Sequence, residues 1–518
     1  MPVRGLLPFA LALLAGCGHA FSIAAPWNGQ PQWWLQLLSL ALLAGLLQRE
    51  SRPRGAFVLG WLFAIAWQVS VYWWLYISMH TYGGLAAPLT VIAVVGLAAF
   101  LGLYYAAASA LFVLTARHSG GWSALVFAAL WSLAEMLRVT LFTGFPWGAG
   151  GYAHLAGPLA GYAPWIGVHG IGFVAALVAA AAAGLMQRRG AALGGAFALA
   201  LGLALPLAGE FSRGAGRVGV TLLQGNIPQD EKFQPGSGIP LALDWYGRQL
   251  REATTALVVA PETAIPLLPR QLPEGFLAAI SERYASGTQA ALIGMPMGSM
   301  RDGYTNSVLG WKPGAPTYRY DKHHLVPFGE FIPPLFRWFT NLMEIPLGDF
   351  NRGAVGQASF PWQGQLLAPN ICYEDLFGEE LGARFVDAAA APTIFVNVSN
   401  IAWFGNTVAI DQHLSISRMR SLEFERPMIR ATNTGATVVI DWRGQVTHAL
   451  ARHTRGVLTG EVEGRTGLTP YARWVSQLGL WPLWGLGLAV VLGAALAQRR
   501  QGRGSQAHRA AEPERPGP

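Results

Sequence analysis

Cys372 is the only cysteine in the one long stretch of the chain whose charge density suits a fold in water. It follows an apolar run from Gly364 to Pro369 that reads as a strand, and Tyr373, Glu374 and Asp375 come directly after it. A lone thiol at a strand end beside acidic residues fits a nucleophile better than a cross-link. The other cysteine, Cys17, lies in an apolar N-terminal segment and has no reason to pair with it. To attack a carbonyl, a thiol needs a base or a depressed pKa. Glu262, in Pro261-Glu262-Thr263 at another strand end, is a candidate base. The oxyanion that forms then needs fixed N–H donors or a cation. Of the 36 basic side chains only three are lysines (Lys232, Lys312 and Lys322), the other 33 being arginines. A chain that writes Arg almost everywhere keeps Lys where a compact charge is needed, which makes Lys322 stand out. Plainer readings stand beside these: a solvated Lys322, a turn or cap residue at Glu262, an inert buried thiol at Cys372. Their common placement, each at a strand end in one domain, weighs more than any one of them.

The elements that would carry these residues are apolar runs at 219–227, 256–262, 289–296, 304–310, 316–330, 364–372, 393–400 and 436–441. A helix at about 411–425 and one or two amphipathic helices fall between them. Buried strands with helical connections predict a layered α/β or α+β sandwich, with polar groups gathered at strand ends where sites form. The stretch 217–465 is one domain of ordinary size.

The rest of the chain has a different texture. Of 518 residues, 52% are hydrophobic and only 12% charged, where soluble domains carry roughly 25%. With 20 Trp and a mean hydropathy of +0.34, this describes a membrane protein. Spanning segments are expected at about 5–22, 33–48, 56–78, 87–115, 122–140, 165–186, 191–208 and 474–497. The chain thus divides into a helical bundle over 1–210 (about seven helices), the 217–465 domain, an eighth helix within 470–498, and a disordered cytoplasmic tail over 499–518. A net charge of +8 would suggest nucleic acid in a soluble protein. Here Arg4, Arg49, Arg52, Arg54, Arg117, Arg188, Arg189, Arg499, Arg500 and Arg503 fall in loops on one side of eight spans. No nucleic-acid partner is therefore expected, and the positive-inside rule puts both termini in the cytoplasm and the 217–465 domain outside. Trp33, Trp34, Trp73, Trp74, Trp474 and Trp481 would lie near the outer interface. Leu14-Ala-Gly-Cys17 looks like a lipoprotein cleavage site, but an uncleaved first helix with a small-residue face is the favoured reading.

Six ordered motifs carry a resemblance: Gln224-Gly-Asn-Ile-Pro228, Pro261-Glu262-Thr263, Lys322 with Leu325-Val-Pro-Phe-Gly-Glu330, Ile371-Cys372-Tyr373-Glu374, Ser399-Asn-Ile-Ala-Trp-Phe-Gly405 and Arg430-Ala-Thr-Asn-Thr-Gly435. Together with Thr143-Gly-Phe-Pro-Trp147, Glu135 and Arg138, they resemble the apolipoprotein N-acyltransferases, the membrane-bound branch of the nitrilase superfamily. The resemblance covers nearly the whole chain. It implies a nitrilase-type αββα sandwich on a multi-span helical bundle in the bacterial inner membrane, with the catalytic domain on the periplasmic side. It also implies Glu262 as general base, Lys322 as stabiliser of the tetrahedral intermediates and Cys372 as nucleophile. Glu330 would support the site, Tyr373 and Glu374 would serve beside the nucleophile, and the Tyr373 N–H would help hold the oxyanion. The implied reaction is ping-pong. An acyl chain passes from a phospholipid to Cys372 as a thioester, then to the α-amine of a diacylglyceryl-modified apolipoprotein. It needs no cofactor, nucleotide or metal, and a monomer is the simplest expectation. The pair His323-His324 is not read as a metal site, since neighbours on a strand face opposite ways.

Two positions depart from the family pattern. Phe233 stands where the family has Trp, which keeps a flat apolar surface but loses the indole N–H. Ile401 stands where Asp is usual, so a polar contact is lost. Glu135 and Arg138, at i and i+3, would pair on one helix face and either shape the approach to the pocket or stabilise the bundle. Two rivals remain: a membrane-tethered amidase or nitrilase, in which water takes the acyl group, and a transporter or sensor whose outer domain binds without catalysis.

Overall fold

The computed structural model of the protein describes residues 5–115, 122–184, 189–299, 301–332 and 350–510. Arg4, Arg117 and Arg188 lie outside the described residues. Seven helices come first: α1 Leu7–Ile23, α2 Trp33–Arg49, α3 Pro53–Tyr72, α4 Ala87–Thr115, α5 Ser123–Thr140, α6 Ala163–Ala183 and α7 Arg189–Ala204. Among the described residues five helices are long and apolar enough to cross a membrane, four of them from this bundle and the fifth at Trp481–Arg499. The other three of the eight expected spans are helices of 16 or 17 residues. Close packing in the bundle rests on small residues. A Cβ on Gly16 would stand 2.2 Å from the Phe63 carbonyl oxygen, so α1 meets α3 almost backbone to backbone.

Two six-stranded sheets follow. Sheet one has the order β12-β1-β2-β3-β4-β5 and sheet two the order β11-β10-β9-β8-β7-β6. The strands of sheet one are β1 Ser212–Gln224, β2 Leu257–Ala260, β3 Ala290–Ser299, β4 Gly303–Trp311, β5 Tyr318–Asp321 and β12 Gly456–Gly467. Those of sheet two are β6 Phe360–Trp362, β7 Gln365–Ile371, β8 Ile394–Ser399, β9 Met428–Thr432, β10 Val438–Ile440 and β11 Val446–Ala449. Pairing is parallel along β1-β2-β3 and β7-β8-β9, so the carboxyl ends of these strands share an end within each sheet. The sheets enclose one core, in which Val220, Leu222, Val259 and Leu292 meet Leu367, Ile371, Val396 and Ile429. Helices α8 Gly238–Glu252 and α9 Phe276–Ser286 cover the outer face of sheet one through Tyr246, Leu250, Ile280 and Tyr284.

The outer face of sheet two is covered differently. Helix α10 (Ala409–Phe424) and helix α11 (Pro470–Leu478) lie on it, and the core they form runs on without a break into the helical bundle. This explains the composition of α10, most of whose residues are buried although the helix is not amphipathic. Polar bonds cross the same junction. Gln412 on α10 accepts from the indoles of Trp74 (3.0 Å) and Trp147 (2.8 Å) and donates to the Val71 carbonyl (2.9 Å). Glu423 accepts from the Val168 N–H at 2.6 Å.

Several expectations are corrected. The last apolar segment is not one helix from 474. It breaks at Gly479, where φ is +54°, into the amphipathic α11 and α12 (Trp481–Ala510). Helix α12 continues to Ala510, so the tail expected to be disordered from 499 is helical that far, and 511–518 lie outside the described residues. Trp74, expected in an interfacial belt, is 1% exposed and ties α10 to the bundle. Glu135 and Arg138 do not bond to each other. Glu135 pairs with His169 at 2.7 Å, while Arg138 donates to Tyr105 Oη and to the carbonyls of Phe145 and Trp147. Strands β6, β9, β11 and β12 were not anticipated, and the sandwich runs from 212 to 467 rather than 217 to 465.

Candidate active site

The chain reverses sharply after β7. Cys372 takes a left-handed backbone, φ +52°, at the start of a 3₁₀ turn over Cys372–Leu376. For a side chain with a Cβ this costs on the order of 1–3 kcal/mol and survives only where neighbours hold it. The neighbours are explicit. The Glu374 carboxylate accepts from the backbone N–H groups of Ile371 (2.6 Å), His323 (2.6 Å) and His324 (3.2 Å), and from the Tyr320 hydroxyl (2.8 Å). One carboxylate thereby ties the turn bearing the thiol to the segment bearing Lys322. Burial raises the pKa of Glu374, opposed by these donors and by Lys322.

Glu262 follows β2 and Lys322 follows β5, so both reach this end of the sandwich from sheet one while Cys372 comes from sheet two. The Lys322 ammonium is 1% exposed. It sits 3.5 Å from Glu262 Oε1 and 2.8 and 2.9 Å from the two Glu330 oxygens. Asn306, on β4, donates to both carboxylates at 2.7 and 2.8 Å. The second Glu262 oxygen accepts from the Asn400 N–H at 2.8 Å. Burial pushes the Glu262 carboxyl up, but Lys322, Asn306, Lys232 and Asn400 together outweigh it and leave it below the ordinary value. Burial works against the Lys322 charge, and Glu330, Glu262 and Cys372 overcome it, so this ammonium holds its proton more firmly than usual. Burial and the Glu262 charge push the Cys372 thiol up to about 12, despite the pull of Lys322. The resting site therefore holds a protonated thiol, an ionised carboxylate and an ammonium. That combination can pass a proton from sulfur to carboxylate as the sulfur attacks, and stabilise the negative charge that develops.

The motifs at 224–228, 399–400 and 430–435 form one network behind Glu262. Asn433 bonds both the N–H and the carbonyl of Ile227 and donates to Asn400 Oδ1 at 3.1 Å; Asn400 Nδ2 donates to Gln229 at 2.8 Å. Tyr373 reaches the bundle: its hydroxyl donates to the Gly144 carbonyl at 3.2 Å, in the loop that Arg138 holds through Phe145 and Trp147.

Three neighbours were not singled out from the sequence for a role here. Asn306 is one and His413 another. Lys232 is the third: it is 2% exposed and donates to the Glu262 carbonyl at 3.1 Å. Burial pushes its ammonium down to about 7 against the attraction of Glu262 and Cys372. The scarcity of lysine that picked out Lys322 applied equally to Lys232. The departures are now placed: Phe233 is 47% exposed with the Lys232 ammonium 5.9 Å from its ring centre, and Ile401 is buried in an apolar core. His323 and His324 follow β5 in a turn and both approach Glu380, at 3.9 and 2.9 Å, so the opposite-face argument does not hold. Among the described residues no group of three His, Cys, Asp or Glu is arranged to hold a metal.

Glu374→Gln is expected to lower the unfolding midpoint of the detergent-solubilised protein. An amide offers one acceptor oxygen where four donors converge, and each donor left unpaired costs about 1–3 kcal/mol. A drop of about 5 °C follows for a domain of this size, measured by thermal unfolding. An unchanged midpoint would mean that the donors find water instead.

Both halves of the chain match families of known proteins. The family model described as "Apolipoprotein N-acyltransferase N-terminal domain" matches residues 17–181, and the carbon-nitrogen hydrolase model matches 219–471. A protein of Verminephrobacter eiseniae named apolipoprotein N-acyltransferase is 59% identical, over 95% of this chain and 97% of its own. One of the same name from Ralstonia nicotianae is 46% identical, over 95% and 93%. Among solved structures, a carbon-nitrogen hydrolase from Helicobacter pylori G27 aligns at 16% identity and a TM-score of 0.36, over 52% of this chain and 94% of that one. With a relative this similar over almost its whole length, the chain belongs to the apolipoprotein N-acyltransferase family.

Proposed function

We propose that the protein moves an acyl chain from a phospholipid, through a thioester on Cys372, to the N-terminal amine of a diacylglyceryl-cysteine on an apolipoprotein. Glu262 takes the thiol proton as sulfur attacks the ester carbonyl. Lys322 and the Tyr373 N–H stabilise the oxyanion, and the departing lysophospholipid oxygen receives the proton from Glu262. The amine then attacks the thioester, Glu262 accepts its proton, and the thiol is restored as the amide forms. Glu330 holds Lys322, and Glu374 holds the turn. The single observation that carries this reading is the meeting of Glu262, Lys322 and the half-buried Glu330 in one ion cluster that acts electrostatically on the Cys372 thiol.

The same reading takes all eight apolar helices as spans of the bacterial inner membrane. The sandwich then faces the periplasm, and both amphiphilic substrates arrive along the bilayer. Continuity of the core between α10 and the bundle supports a site held at a fixed height above the lipid. The protein acts as a monomer in this scheme, with no cofactor.

Incubating the purified full-length protein with phosphatidylethanolamine tests it. A hydroxylamine-labile mass gain on Cys372 that disappears on adding a diacylglyceryl-cysteine peptide, with amide product appearing, is the expected result. Loss of the adduct to water at the same rate without peptide indicates a hydrolase instead, and no adduct indicates a binding protein.

A further inference from the structure

The Cys372 carbonyl oxygen is held by two side chains from sheet two and α10. His413 Nε2 lies 3.2 Å from it and Asn397 Nδ2 donates to it at 3.3 Å. Both side chains are fully buried. The imidazole is itself fixed: Nε2 also lies 2.9 Å from Asp375 Oδ1, and Arg430 Nη2 lies 3.3 Å from Nδ1. Since guanidinium can only donate, Nδ1 accepts and the ring hydrogen resides on Nε2, shared between Asp375 and the Cys372 carbonyl. Arg430 further donates to the His413 carbonyl at 3.1 Å, and Ser417 donates to the second Asp375 oxygen. None of these groups has a part in the proton transfers above.

A peptide unit is planar, so pinning its carbonyl fixes the direction of its N–H, which points the opposite way. The unit pinned here is Cys372–Tyr373, whose N–H is the oxyanion donor assigned above. Its orientation is not the default one, because Cys372 is left-handed. We propose that His413, braced by Asp375 and Arg430, is a positioning residue that locks the Cys372–Tyr373 peptide so that its N–H is aimed at the oxyanion in both half-reactions. This inference rests on the acyl-transfer reading.

The test compares His413→Gln, His413→Asn and His413→Ala in the full-length protein. It uses phosphatidylethanolamine as donor and a diacylglyceryl-cysteine peptide as acceptor, and measures both half-reactions in single turnovers. A glutamine amide nitrogen reaches about as far as Nε2, whereas an asparagine nitrogen stops near Nδ1. Removing one oxyanion donor lowers rates by about 10²–10³-fold. His413→Asn and His413→Ala are therefore expected to slow thioester formation and aminolysis alike by about 100-fold, with half-saturation by phospholipid unchanged. His413→Gln is expected to recover most of that loss. Equal rates for Gln and Asn, a loss confined to half-saturation, or slowing of one half-reaction alone would overturn the proposal. If the alanine protein fails to fold, the Gln and Asn pair decides. Should the wild-type protein form no thioester at all, the underlying reading falls; a wild type that reacts while His413→Asn matches it removes only the role of His413.

Discussion

Glu262→Gln is expected to slow thioester formation at pH 7 by about 10³-fold, within the range general-base removal produces. The substitution keeps the shape of the side chain and its acceptor for one of the two donors, Asn306 or the Asn400 N–H. Turning an amide NH₂ toward the other costs about 1–3 kcal/mol of stability, which a domain with Lys322 still paired to Glu330 can bear. The pH profile separates this from general damage. Burial raises the Glu262 carboxyl, and the four opposing groups leave it below 4.5. The base form is therefore present above that pH and is lost only as pH falls through the lowered value. Wild-type rates should be level with respect to Glu262 across neutral pH and decline only as pH falls through the lowered value, as a general base requires. In the Gln protein this acid limb should vanish. What rate remains should climb toward high pH, as a thiol whose burial holds it far above neutrality ionises unaided. A Gln protein with near-normal rate, or one retaining the acid limb, would remove Glu262 from the chemistry.

Parts of this arrangement were legible in the sequence because single residues had to sit where the backbone put them. Strands β2, β3, β7 and β8 are mostly apolar and largely buried, and Glu262, Cys372 and Ser399, at or just past the ends of β2, β7 and β8, mark the rim of the sandwich. Strand β12 was missed because it alternates exposed residues with mostly half-buried ones and has glycines at 460 and 464, so it has no apolar run to betray it. Its place beside β1 is decided by long-range pairing. Glu135 and Arg138 illustrate the opposite error. Helical spacing made them neighbours, but the partners that satisfy them, His169 and the carbonyls of 145 and 147, come from elsewhere in the chain. His413 was hidden for the same reason, lying 41 residues from the carbonyl it touches. Lys322 and Glu330 were found through composition and motif. That both carboxylates share one ammonium with Asn306 between them is a fact of three dimensions.

Lys322→Met should cause a loss at least as large as that at Glu262, and by a different route. The ammonium is the cation that Glu262 and Glu330 share, with oxygens of both inside 3.5 Å. Without it, the buried Glu262 carboxylate and the half-buried Glu330 carboxylate face each other, bridged by one amide, and like charges at that range raise the pKa of one of them strongly. A proton taken up by the pair disables the base near neutral pH, while the oxyanion loses the charge that would have met it. Thioester formation at pH 7 is expected to fall by about 10³-fold or more, and the acid limb should move upward by at least one pH unit, about the least that an unscreened like-charge pair imposes. Partial recovery at pH 9 would follow as the pair loses its proton. Lys322→Arg is expected to rescue little. A guanidinium brings a plane of three nitrogens into a pocket cut to one, and overpacking it displaces Glu262 or Glu330. Rapid-quench measurement of the acyl adduct between pH 5 and 9 checks both variants. A Met protein that kept a tenth of the wild-type rate, with its acid limb unmoved, would show that the ammonium supports the fold and takes no part in the transfer.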